Sequence, residues 1–338
     1  MRAVGYKKSL PASDNEALLD ISLPEPDVGP SDVLVAVKAV GVNPVDTKIR
    51  MRKEPAPGET AILGWDAAGI VTAVGSDVTA FQSGDEVWYA GAIDRPGCNA
   101  ERHAVDARII SHKPESLSFA EAAAMPLTFL TAWELLFDRL KLSAEDEDAI
   151  IFITGAAGGV GSAIIQLAQA LTRATIVGTA SRDESRAWTK KMGADHVIDH
   201  SKSLTSAYRK LGLSAVTHVA SLTHSDQHFD DLVELLRPQG KLALIDDPAT
   251  PLDIMKMKQK SLSLHWEFMY TRSLFQTPDM NRQGEILKKV AAMIDADRIK
   301  STMTTNLGPV NAANLRAAHL QLESHHTVGK IVLAGFDR

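Results

Sequence analysis

A single cysteine, Cys98, in 338 residues excludes an internal disulfide framework and any metal cluster built on several thiolates. No apolar run approaches the ~18 residues that a membrane span needs. The opening MRAVGYKKSL lacks the apolar core of a secretion signal. Lys and Arg number 36 against 42 Asp and Glu, a formal net charge of −6, and the two signs are mixed throughout. No basic block marks a nucleic-acid binder, and no basic amphipathic helix marks a membrane-surface protein. No internal repeat is visible. The chain is 45% hydrophobic with a mean hydropathy of −0.06, values of a globular protein. Its length predicts two domains. The expectation is a soluble, cytoplasmic protein of about two domains, with neither nucleic acid nor membrane as a partner.

Residues 1–110 read as many short strands: DVLVAVKAVGV (32–42), AAGIVTAVG (67–75) and GDEVWYAG (84–91) are Val-rich, alternating and bounded by Pro, Gly and Asp. This half predicts a β-barrel-like unit. From Phe119 the period turns helical, with two segments flanking Pro126. Strands and helices then alternate: AIIFITG, GSAIIQLAQAL, ATIVGTAS, ESRAWTKKMG, HVID, THVASL, HFDDLVELLRPQG, KLALID and SLSLHW. That alternation predicts βαβ units on a parallel sheet. After Pro278 come a long amphipathic helix, a second helix NAANLRAAHLQLES and a last strand GKIVLAG, which fit the first domain better than the doubly wound one. The expected division is 1–126 with 275–338, and 127–274.

IFITGAAGGVGSAIIQLA (151–168) runs from an apolar strand through glycines into a helix. Its spacing is Ala156-x-Gly158-x-x-Gly161, a dinucleotide fingerprint with alanine for the first glycine. Ala157, Gly158, Gly159, Val160 and Gly161 offer backbone N–H groups at a helix N-terminus, where the dipole favours an anion. About 20 residues on, an Asp or Glu would accept from the ribose of NAD. That window reads GTASRDES, with Ser181 and Arg182 following the strand end at Thr179–Ala180. A hydroxyl and a forked guanidinium suit a 2′-phosphate, so NADPH is expected. Two other readings stand: Asp183 as an NAD acceptor if the strand runs longer, and Arg182 as a solvated surface charge.

AVGVNPVDTKIR (39–50), ILGWDAAGIVTAVG (62–75), GDEVW (84–88), AAAMPLTFLTAWELL (122–136), ITGAAGGVGS (153–162) and MGADHVID (192–199) occur in order and at matching separations. Together they resemble the medium-chain dehydrogenase/reductase superfamily, in particular its quinone-oxidoreductase-like, zeta-crystallin-like branch, over nearly the whole chain. The resemblance implies an α/β protein: a GroES-like β-barrel catalytic domain formed by both ends of the chain, around a Rossmann domain with a doubly wound parallel sheet. It also implies a homodimer or tetramer, with the homodimer expected. The superfamily's zinc alcohol dehydrogenases place metal ligands where this chain has Asn43 and Trp65, and a third cysteine near PLTFLTAW, where none occurs. The four-cysteine structural lobe is missing too. These residues argue against zinc. His224 with His228, and His325 with His326, are poor metal pairs.

Without a metal to lower a hydroxyl pKa, oxidising an unactivated alcohol is hard. Reducing a quinone or an enone C=C stays feasible, because the conjugated carbonyl takes the charge and a nearby donor helps. The expected activity is therefore zinc-independent, NADPH-dependent reduction of quinones or α,β-unsaturated carbonyls. The alternatives are a zinc-type alcohol dehydrogenase or a non-catalytic NADPH-binding protein. The expected catalytic residues are Asn43, Lys48 and Trp65, each with a plainer reading: a turn before Pro44, a rim lysine and a core aromatic. Asp46 is read as orienting its neighbours. The resemblance puts Thr131, and less well Thr128, near the nicotinamide. It gives His200 a place at the 2′-phosphate, with charge from Lys190 or Lys191. Ser221, Leu222, Ile245, Asp246 and Asp247 end strands at the cofactor crevice. Lys330 is read as a nicotinamide neighbour or a surface lysine. Trp266, Phe268, Met269 and Tyr270 are read as substrate lid or dimer edge.

Overall fold

The computed structural model describes residues 1–337. The chain forms two compact units, Met1–Leu130 with Tyr270–Arg338, and Thr131–Met269. The first joint falls inside the helix Pro126–Trp133, which carries the chain across without a break. No composition shift marks that point, which is why the sequence reading set the joints a few residues away.

In the first unit the long strand Asp32–Val42 organises a seven-stranded sheet. Its apolar run pairs antiparallel with Ala67–Val74 on one side and with the final strand Lys330–Ala334 on the other, Ile331 opposite Val42. The chain's end thus completes the sheet begun near its start. A three-stranded sheet of Leu19–Ser22, Arg2–Tyr6 and Ala61–Ile62 stands apart from it. The helix Pro44–Arg52 starts directly after the long strand, with Pro44 at the position where a missing N–H costs nothing. The short strand Met303–Asn306 pairs with Lys330–Ala334. Its polar sequence MTTN carries no strand signal, and it had been passed over.

The second unit is a six-stranded, wholly parallel sheet. Its order is His196–Ile198, Thr175–Thr179, Ile150–Ile153, Val216–Ser221, Leu236–Leu244 and Ser263–Trp266. The order reverses between Ile150–Ile153 and Val216–Ser221, the switch point where such sheets bind ligands beyond their carboxyl ends. Phe152, Val177, Val219, Leu232 and Leu242 belong to one buried core under the helices. The helix expected to run through RPQG stops at Leu235. Leu236–Leu244, Pro238 included, is strand, with Gln239 at φ 64°.

Candidate functional site

In the first unit, the end of the long strand delivers Asn43 as N-cap of the helix Pro44–Arg52. Asp46 accepts the Asn43 N–H at 2.7 Å, closing that first turn. The Asn43 amide donates to Asp66 Oδ2 at 2.8 Å, and its Oδ1 accepts from Lys330 Nζ at 2.5 Å. Lys330 also reaches Asp66 Oδ2 at 2.9 Å. The other Asp66 oxygen accepts the Leu127 N–H at 2.8 Å, in the first turn of Pro126–Trp133, where the helix dipole favours a carboxylate. Asn43, Asp46, Asp66 and Lys330 are all buried, with exposures of 4% or less. Burial pushes the Asp66 and Asp46 carboxyls up, Asp46 to about 7, while the Lys330 ammonium pulls both down. Two acids therefore share one buried cation.

Trp65 is buried and gives its indole N–H to the Ala92 carbonyl at 3.1 Å. Its ring meets Tyr270 edge-on, with centroids 6.4 Å apart. Burial, reinforced by the carboxylates of Asp46 and Asp66, holds the Tyr270 hydroxyl well above its usual pKa, so it remains a proton donor.

This geometry bears on three expectations. Asn43 has its amide oxygen and one of its two amide N–H donors engaged inside a buried network, which fixes its orientation. Lys330 is not a surface lysine: it is buried, with its ammonium held by Asn43 and Asp66. Trp65 is buried with its one donor already used, which fits the core-aromatic reading. Lys48 lies outside this network, half-exposed, lining a groove of about 310 Å³ with Pro11, Thr47, Met51, Arg52 and Glu323. Asp66 had been passed over as a site residue although it follows Trp65. An acid beside a bulky aromatic gives no sign of the lysine that reaches it from 264 positions away.

In the second unit, the strand Ile150–Ile153 leads through Gly155, at φ 62°, to Gly158, the N-cap of the helix Gly159–Leu171. A Cβ on Gly161 would lie 2.6 Å from the Ala156 backbone, so only glycine lets the helix close on the turn. Ala156 itself is accommodated because Gly178 faces it: a Cβ there would meet the Ala156 methyl at 2.8 Å. The alanine in the fingerprint is thus matched by a glycine on the next strand. A Cβ on Gly158 would meet only the Gly155 carbonyl, at 3.4 Å, so the loop's outer side is open. The N–H groups of Gly159, Val160 and Gly161 have no partner within the helix and can receive a pyrophosphate. Ala157 is buried beside them.

The strand Thr175–Thr179 ends early, leaving Ser181 half-exposed and Arg182 at the N-cap position of the helix Asp183–Lys191. Asp183 is already the first residue of that helix, beyond the strand end where a ribose acceptor would sit. Lys190 and Lys191 lie in its last turn, roughly 12 Å along the axis from Arg182 at ~1.5 Å per residue. Lys191 rests over the Trp188 ring. His200 follows the neighbouring strand His196–Ile198.

Ser221 and Asp246 serve to join strand ends. The Ser225 hydroxyl donates to Asp246 Oδ1 at 2.5 Å and lies 2.7 Å from the buried Ser221 hydroxyl. Leu222 N–H donates to Thr154 Oγ1 at 2.9 Å. Ile245 and Asp246 are half-buried where the strand Leu236–Leu244 ends. Thr128 gives its hydroxyl to the Met125 carbonyl, and Thr131 is buried one turn further on.

Comparison with known proteins agrees with both units. Residues 29–132 match the alcohol dehydrogenase GroES-like domain family, and residues 159–282 the zinc-binding dehydrogenase family. A zinc-type alcohol dehydrogenase-like protein of Staphylococcus aureus is 35% identical over 337 residues, 98% of this chain and 99% of the relative. An NADPH-dependent alkenal/one oxidoreductase of Arabidopsis thaliana is 30% identical over 328 residues, 93% of this chain and 75% of that one. A structure from Rhizobium etli, assigned to the zinc-dependent alcohol dehydrogenases, has 50% identity and a TM-score of 0.97, covering 100% of this chain and 99% of that one. The Escherichia coli quinone oxidoreductase solved with NADPH has 26% identity and a TM-score of 0.85, covering 99% of this chain and 100% of that one.

A GroES-like unit joined to a phosphate-cradling parallel sheet defines an oxidoreductase that works with a nicotinamide cofactor. The chain belongs to the medium-chain dehydrogenase/reductase superfamily, as a quinone-oxidoreductase-like member. The zinc in several of those descriptions does not fit the donors here. Among the described residues, no three His, Cys, Asp or Glu side chains group so as to hold a metal ion. Asp66 is already tied to Lys330, and burial drives the Cys98 thiol far up in pKa. Among the described residues, no helix is long and apolar enough to cross a membrane.

Proposed function

We propose that the protein is a zinc-independent, NADPH-dependent reductase of quinones or α,β-unsaturated carbonyls. The observation that carries this reading is that Asn43, at a position where metal-using relatives place a ligand, is tied into a closed network with Asp66 and Lys330, and that no three donor side chains group to hold a metal among the described residues. A bound nicotinamide supplies hydride; the chain's residues bind it, orient it and manage protons. The N–H groups of Gly159, Val160 and Gly161 hold the pyrophosphate, and Ser181, Arg182 and His200 the 2′-phosphate. Without a Lewis acid, the acceptor must carry its own electron sink, which a conjugated carbonyl provides. The NADPH-dependent alkenal/one oxidoreductase and the quinone oxidoreductase among its relatives support the same substrate class.

The test is oxidation of NADPH against NADH over a panel of quinones, enones and primary alcohols. NADPH-driven turnover of quinones or enones is expected, undiminished by exhaustive chelation and with no stoichiometric zinc by elemental analysis. Zinc-dependent alcohol oxidation would overturn the reading. Tight NADPH binding without turnover would instead favour a non-catalytic role.

The same proposal includes a homodimer joined through the strand Ser263–Trp266. This strand is the outer edge of the parallel sheet, and Trp266 and Phe268 beside it are 53% and 46% exposed. An edge strand with exposed aromatics is a template for pairing, and a second copy of the same strand satisfies it symmetrically. Trp266→Lys is expected to convert the dimer to a monomer by light scattering; an unchanged mass would remove this edge from the interface.

A further inference from the structure

Four cationic or titratable side chains gather at the carboxyl end of the parallel sheet, each from a different element or turn. Arg182 follows the strand Thr175–Thr179, and His200 follows the adjacent strand His196–Ile198. His224 follows Val216–Ser221 as the N-cap of the helix Ser225–Leu235, held at φ 51° with its Nδ1 2.8 Å from Thr223 Oγ1. His228 sits one turn further along that helix, its N–H bonded to the His224 carbonyl at 3.1 Å. Because all six strands are parallel, these loops open on one edge of the sheet. His200 is within electrostatic reach of Arg182 and His224, and His228 of His200 and His224. His224 and His228 look on paper like an i, i+4 metal pair. The cationic groups near them are His200 and, beside it, Arg182, with Asp199, Asp226 and Asp231 at the margin.

We propose that His200, His224 and His228 complete, with Arg182, a titratable cradle for the cofactor's 2′-phosphate, so that binding NADPH takes up a proton and binding NADH does not. The inference rests on the reading of Arg182 as the 2′-phosphate ligand. In the free protein, burial first and then the neighbouring cations push His200 and His228 below the ordinary histidine value. The acids facing the cluster are Asp199, Asp226 and Asp231, and each has other work. Asp199 accepts from the Ser201 N–H and hydroxyl and pairs with Lys202 at 3.6 Å. Asp226 accepts from Thr250, and Asp231 from the Leu204 N–H. A phosphate dianion placed among the rings reverses the balance and favours their charged form. The bound state then holds more protons than the free state, so NADPH affinity rises as pH falls through the histidine range.

The experiment is isothermal titration calorimetry of the wild-type protein with NADPH and with NADH at pH 6.5, 7.2 and 8.0, in buffers of differing ionisation enthalpy. NADPH affinity is expected to increase about tenfold from pH 8.0 to 6.5, with net proton uptake near neutrality, while NADH affinity stays flat. In His200→Gln/His224→Gln/His228→Gln the rise in affinity towards acid pH and the proton uptake should both disappear. The phosphate's own ionisation, near pH ~6, weakens binding in the acid direction and stays the same in that variant. His224→Gln alone, at an exposed position, should reduce the uptake without touching the core. NADPH preference with no proton uptake, or an unchanged slope in the triple variant, overturns the cradle and leaves Arg182's role intact. No NADPH preference at any pH overturns the Arg182 reading, and the cradle with it.

Discussion

Lys330→Met is expected to destabilise the first unit by about 3–5 kcal/mol, the usual cost of leaving a buried charge without its partner. That corresponds to a fall in Tm of roughly 10 °C for a unit of this size. The methionine fills nearly the same volume, so loss of packing is a minor part of the effect. What is lost is the side-chain cation bonded to Asp66, together with the donor to Asn43 Oδ1. Asn43 caps the helix Pro44–Arg52, and Asp66 receives the first turn of Pro126–Trp133, so the damage spreads to both helices.

The pH dependence distinguishes this account from a simple packing defect. Asp46 and Asp66 have carboxyl pKa values raised in the folded state, so each favours the folded state most at acid pH. That contribution is complete below the unfolded value near ~4 and is lost as pH rises through the folded value, about 7 for Asp46. Removing Lys330 raises both carboxyls further. The gap in Tm between wild type and Lys330→Met should therefore be small near pH 4.5 and widen up to pH 8. A gap independent of pH would mean that packing alone is at stake. Asp66→Asn combined with Lys330→Met removes both charges and should recover part of the lost stability.

What could be read from the sequence, and what could not, divides along the range of the interactions involved. The phosphate turn was legible because its demands are local: Gly158 and Gly161 satisfy them within six residues of Gly155, and the flanking strand and helix show their own periods. The parallel sheet followed from the alternation of those periods. The first unit's centre was not legible, because it is assembled from Asn43, Asp66, Leu127 and Lys330, far apart in the chain. Each of these looked ordinary in its own segment: a turn asparagine, an acid after a tryptophan, a strand-end lysine. The surface reading of Lys330 fails for that reason, since a lysine opening a strand is usually solvated and here Asp66 makes its burial tolerable. The histidines show the same limit: their i, i+4 spacing made a poor metal pair in the sequence, and nothing local to it pointed to His200, which reaches them from another strand end.

Arg182→Ala is expected to weaken NADPH binding tenfold or more, on the order of 1.5–3 kcal/mol for a charge-assisted hydrogen bond, and to leave NADH nearly unchanged. The position makes this a clean test. Arg182 stands at the N-cap and not inside the helix Asp183–Lys191, and its backbone N–H, bonded to Ser185 Oγ at 3.2 Å, is unaffected by the substitution. Folding should be close to wild type, so a change in affinity reports on the ligand. Arg182→Lys keeps the charge but loses the fork that matches phosphate oxygens, and should fall between the two. Arg182→Glu places a carboxylate where the 2′-phosphate would lie and should reverse the preference towards NADH, because repulsion acts on one cofactor only. Equal losses for both cofactors would mean that Arg182 supports the turn and does not touch the phosphate. That outcome would remove the histidine cradle as well, since it is built around Arg182.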